Sequence, residues 1–123
     1  MRRTAVVLTF LAIALPQTAW TQEALVRKGQ EVYAKQQCAM CHSVAGKGNP
    51  KGALDGVGSK WTAAEIREWI VNWKEMAARH NATRKPPMKD YSALAKADVD
   101  ALVAYLQTLK QTSGKKERPA LER

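Results

Sequence analysis

Apolar residues recur with a helical period along most of this chain, and the breaks between periodic stretches are sharp. Leu25, Gly29, Val32 and Tyr33 share one face of a helix predicted from about Glu23 to Gln37. Gly29 is a weak spot in that helix unless another element approaches it closely, because a glycine costs about 1 kcal/mol relative to alanine. From Ser43 to Lys60 the period is lost among Gly46, Gly48, Pro50, Gly52, Gly56 and Gly58, and a loop is predicted. Thr62-Ala63-Ala64-Glu65 then forms a capping box, with Trp61 and Ile66 placed as a hydrophobic staple. Ile66, Trp69, Ile70 and Trp73 follow at i, i+3, i+4 and i+7, one apolar face of a helix predicted to continue through Ala78. The polar stretch up to Arg84 gives no clear element. In Lys85-Pro86-Pro87-Met88 the two prolines exclude helix interior and stiffen the backbone ahead of Met88. The last helix is expected from Asp98 to Leu109, carried by Val99, Leu102, Val103, Leu106 and Leu109, with Ala95 as a poor N-cap. No alternation of strand period is visible.

The two ends differ from this middle. Met1-Arg2-Arg3-Thr4 is a basic head, and an apolar run follows from Ala5 to Leu15, interrupted only by Thr9. Pro16 and Gln17 close it, with small residues at Ala19 and Thr21. That layout predicts a secretory signal peptide over residues 1–21, too short for an ordinary membrane span; the chain would meet a membrane only if this segment were retained. Residues 111–123 are charged and lack apolar anchors, so a disordered tail is expected. Removing residues 1–21 leaves 18 Lys and Arg against 11 Asp and Glu, a formal +7. An excess of that size suits an acidic partner, or simply solubility, and nothing in the pattern points to nucleic acid.

The chemistry lies in Cys38-Ala39-Met40-Cys41-His42. C-x-x-C-H is the signature of c-type haem attachment: the thiols join the two vinyl groups of a porphyrin, and the histidine follows as proximal iron ligand. Other uses of a cysteine pair fit less well. A closed zinc site wants four ligands, and beyond these three the chain offers only His80. A thioredoxin-like dithiol needs a βαβ surround that no strand pattern supports. A domain of about 100 residues is also marginal for a core of side chains alone, and a buried macrocycle would supply its centre.

These pieces together resemble a small monohaem class I c-type cytochrome. The resemblance runs from about Leu25 to Leu109 and rests on Gly29-x-x-Val32-Tyr33, the haem motif, Leu54-Asp55-Gly56-Val57-Gly58, Trp61 through Ile70, and Leu102 through Leu106. It implies an all-α, cytochrome c-like fold of three to four helices wrapped around one covalent haem c, occupying residues 22–110. It also implies first and last helices crossing at Gly29, Tyr33 and Tyr105, and a distal methionine ligand from a proline-bearing loop, the place held by Met88. A carbonyl of the glycine-rich loop should accept from the second ring nitrogen of His42. Which one is left open, since Gly52 stands where many members have proline and Pro50 lies two residues earlier. Either Trp69 or Trp73 is a candidate to donate its indole N–H to a haem propionate.

The function implied is that of a periplasmic, monomeric electron carrier rather than an enzyme, with iron held by His42 and Met88. The alternatives are a haem subunit docked to a larger oxidase or reductase, and a haem enzyme or sensor with a labile sixth ligand. Of the other candidate ligands, Met40 lies inside the attachment loop, Met76 is expected to fill the core, and His80 falls in a polar stretch with nothing evident to hold it.

Overall fold

The computed structural model describes residues 18–111. Five helices carry the fold: α1 (Thr18–Lys35), α2 (Val57–Lys60), α3 (Ala63–Val71), α4 (Trp73–Arg79) and α5 (Lys96–Thr108). The all-α expectation holds, with five helices where three to four were expected. The glycine-rich stretch is more ordered than a loop. It holds a minimal antiparallel hairpin, β1 (Ser43–Val44) and β2 (Lys47–Gly48), a 3-10 turn at Pro50–Gly52, and α2.

Helix boundaries differ from the predicted ones for identifiable reasons. α1 is described from Thr18 on, so its first described turn falls within the expected signal segment; the rest of that segment and the tail from residue 112 lie outside the described residues. Its C-terminal end comes before Gln37, which takes a left-handed backbone with φ 57° and turns the chain into a 3-10 turn at Cys38–Met40. The predicted middle helix is two. Asn72, at φ −138° and ψ 40°, breaks it, and its side-chain amide donates to Glu75 at 2.8 Å across the break. The capping box forms as predicted: Glu65 N–H donates to Thr62 Oγ1 at 3.2 Å, and Thr62 N–H to the Glu65 carboxylate at 2.8 Å. The Thr62 N–H, with the Thr62 hydroxyl donating to the same carboxylate at 2.9 Å, holds the Glu65 carboxyl below its ordinary range. α5 begins after Ala95, which makes no side-chain cap.

The core joins Val32 of α1, Ile66 and Ile70 of α3, and Val99, Leu102, Val103 and Leu106 of α5. The broadest contact is between α1 and α5. Gly29 is buried in it, and a Cβ added there would collide with the Ala101 carbonyl and Tyr105 Cβ. Tyr33 and Tyr105 meet edge to face beside this point, with ring centroids 5.7 Å apart. The helix therefore tolerates its glycine because α5 comes too close for any other residue. Polar ties to α1, α2 and α3 add to the packing around α5. Lys28 pairs with Asp98 at 3.2 Å, and Arg67 of α3 pairs with Asp100. The Gly58 N–H donates to the Leu109 carbonyl at 3.0 Å, and Gln107 Nε2 to the Trp61 carbonyl at 2.9 Å.

Gly29→Ala tests the crossing. Alanine gains about 1 kcal/mol of helix propensity, but overpacking a tight contact typically costs about 1–3 kcal/mol. The collision is with backbone, which puts the overpacking at the upper end of that range, so after the propensity gain the net loss is about 2 kcal/mol, read as a Tm lower by roughly 8–16 °C. A Tm at or above wild type would show that the two helices do not need the glycine.

Candidate functional site

An apolar cleft opens in the middle of this core, in two lobes. The first, with an empty volume of about 690 Å³, is lined by residues that include Tyr33, Cys38, Leu54, Trp61, Ile66 and Leu102. The second, of about 670 Å³, is lined by residues that include Cys41, Trp73, Arg84, Pro86 and Pro87. His42, Trp69 and Met88 line both lobes. Cys38, Cys41, His42 and Met88, far apart in the chain, thus line two apolar spaces that share three residues.

The C-x-x-C-H stretch is shaped by its backbone. The 3-10 turn places the His42 N–H on the Cys38 carbonyl at 2.9 Å, and Cys41 N–H also donates to that carbonyl at 3.1 Å. Asn49 closes the turn from outside: its N–H donates to the His42 carbonyl at 2.9 Å, and its side-chain amide to the Met40 carbonyl at 3.2 Å. Met40 itself is exposed at 67 % and points away from the interior.

His42 Nδ1 lies 2.9 Å from the Gly52 carbonyl. A carbonyl can only accept, so Nδ1 carries the proton and Nε2 is the nitrogen with a free lone pair. The loop carbonyl left open by sequence is therefore that of Gly52. Burial pulls the His42 pKa below the ordinary imidazole value; the Gly52 bond opposes this, and the Arg84 charge adds to it. The ring is kept neutral, the state in which it can bind a metal.

Cys38 and Cys41 are unpaired thiols, and burial pushes Cys38 up to about 11. A redox dithiol has its reactive thiol depressed instead. Among the described residues no group of three or more His, Cys, Asp or Glu gathers into a metal site, so the closed zinc site has no ligand set there.

The two other candidate ligands lie elsewhere. Met76 is buried at 3 % exposure in the core, as expected. His80 is not loosely held. Its ring packs edge-on against Trp61 at 4.7 Å and lies tilted against Trp69 at 5.7 Å, and it is not among the residues lining either lobe. The polar surroundings of His80 in sequence hid this, because both partners come from elements before it.

A haem fits this cleft on two grounds. The lining is apolar, as a macrocycle requires, and three of its residues carry a buried polar atom with no partner: Trp69 Nε1, Trp73 Nε1 and Tyr33 Oη. Buried donors of this kind are rarely left unpaired in a finished structure. Two indole N–H groups in one cleft suit acidic arms on a largely apolar group. The sequence singled out both tryptophans for this, but not Tyr33 Oη or Arg84.

The comparisons agree with this geometry. The family model described as Cytochrome c matches residues 26–110. No curated protein and no solved structure matches the chain significantly.

Tyr33 provides a pH test. Burial raises its phenol from 10.0 to about 12. The folded state then keeps a proton that the unfolded state releases near pH 10, so this contribution is complete below pH 10 and disappears as pH rises toward 12. In denaturant titrations between pH 9 and 12, Tyr33→Phe should lose stability less steeply than wild type. Parallel curves would show that the hydroxyl ionises as freely in the folded protein as in the unfolded chain.

Proposed function

The chain belongs to the cytochrome c family, and on that premise we propose that it is a periplasmic carrier of single electrons, with thioether bonds at Cys38 and Cys41 and iron held between His42 and Met88. Covalent haem c is the family's cofactor, and haem-bound electron transfer is its general function. When bound, the haem iron supplies one-electron exchange between its ferrous and ferric states. One observation carries the finer reading: His42 and Met88 line both lobes of one apolar cleft whose lining also includes Cys38 and Cys41.

The residues divide the work. His42 presents Nε2, held in one tautomer by Gly52, as the second-shell bonds of metal-binding histidines generally do. Met88 provides a thioether, which raises the potential of haem iron. Trp69 and Trp73 offer their unpaired indole N–H groups to the propionates. A position filled from both sides leaves no room for substrate, which favours carrier over enzyme. The neighbours an acid–base site would draw on are engaged: Arg79 pairs with Glu75, Arg84 donates to a backbone carbonyl, and His80 packs against two tryptophans. The signal segment supports export, and the formal +7 supports an acidic redox partner.

Two measurements test this. The oxidised protein should show the weak sulfur-to-iron charge-transfer band. Met88→Ala should abolish it, lower the potential and allow carbon monoxide to bind, while His80→Ala leaves all three unchanged. Survival of the band in Met88→Ala would remove Met88 as ligand. Electron-transfer rates with an acidic partner should fall steeply with added salt, because screening shortens the field to about 8 Å at physiological ionic strength. A rate indifferent to salt would mean that the positive charge does not steer docking.

A further inference from the structure

Arg84 does more than bias His42 toward its neutral form: it joins three pieces of backbone around the cleft. It stands four positions before Met88, on a segment with neither helix nor strand. Its Nη2 donates to the Cys41 carbonyl at 2.5 Å, across 43 residues of sequence. Its other terminal nitrogen lies over Gly52: a Cβ added there would collide with both Arg84 Nη1 and the Cys41 carbonyl. Gly52 is in turn the residue whose carbonyl holds His42.

The rest of the segment is held only at its ends. On one side Ala82 N–H donates to the Ala77 carbonyl at 2.8 Å; on the other, Tyr91 Oη reaches the Gln36 carbonyl at 3.5 Å, a long contact. Among the described residues, Arg84 to Cys41 is the one hydrogen bond that ties residues 83–89 to the rest of the chain. None of the ion pairs among those residues involves Arg84, so its guanidinium is spent on backbone rather than on an acid.

We propose that Arg84 is a latch: a positioning residue that holds the Met88 segment closed over the cleft by gripping the backbone of the C-x-x-C-H stretch. Gly52 lacks a side chain because the guanidinium occupies that place. The latch couples the two axial sides mechanically, since one guanidinium touches the segment bearing Met88 and the turn that fixes His42. This role rests on the reading of Met88 as the distal ligand, and the test separates the two.

The experiment uses the oxidised holoprotein with Arg84→Ala, Arg84→Lys and Lys85→Ala, the last removing an equal charge one residue away. Opening of the segment is read by lysine-specific proteolysis at the Lys89–Asp90 bond, and release of the iron position by the affinity for added imidazole. Arg84→Ala should be cut about tenfold faster and bind imidazole about tenfold more tightly, the scale of one hydrogen bond from a charged donor. Arg84→Lys, which keeps a donor, should lie between it and wild type, and Lys85→Ala should match wild type. Cleavage of Arg84→Ala at the wild-type rate, or equal acceleration in Lys85→Ala, would overturn the latch. Faster cleavage of Arg84→Ala with unchanged imidazole affinity would support the latch and count against Met88 as the ligand.

Discussion

The 2.9 Å bond from His42 Nδ1 to the Gly52 carbonyl is the constraint on which the rest of the site depends. It sets the tautomer, fixes the ring plane and frees Nε2, so it decides that this imidazole can bind iron. Its acceptor is delivered by the hairpin at residues 43–48 and the turn at Pro50–Gly52, which fold the chain back under the motif. The acceptor residue must also be small, because the Cys41 carbonyl and the Arg84 guanidinium crowd the place a side chain would take. A short run of glycines that reads as a loop therefore delivers the carbonyl that orients His42.

Around that bond the helices leave a space rather than fill one. α1 and α5 cross at Gly29 and form the firm half of the core, while α3 presents Ile66, Trp69 and Ile70 to the cleft from across it. In a domain this small, an open apolar cleft at the centre is a cost, since its lining lacks partner atoms. Haem c, the cofactor of the family, offsets that cost, and on the proposed reading its acidic arms take up the stranded indole donors as well. Fold and function thus have one cause: the group that exchanges the electron is also the missing part of the core.

Features with local causes were legible in the sequence. The capping box at Thr62 and Glu65, the apolar face of α5 and the C-x-x-C-H turn each need only neighbours within a few residues. Gly29 was legible for another reason, since a glycine inside a helix demands a close approach. What could not be read depends on distant partners. Nothing near Arg84 says that it reaches Cys41, and nothing near His80 says that two tryptophans hold it. The break at Asn72 was hidden because its flanks, Ile70 and Trp73, keep the helical period across it. The Gly52 carbonyl was beyond sequence in principle, because every residue of the loop has one to offer.

The central claim is that the cleft is completed by a haem bonded to Cys38 and Cys41. The most direct test is to produce the protein in a host that attaches haem, denature it in acid and organic solvent, and weigh the chain. The pigment should stay with the polypeptide, and its mass should rise by one haem, with the addition mapped to the peptide containing both cysteines. Colour that extracts freely into the solvent, leaving a chain of unmodified mass, would contradict the account.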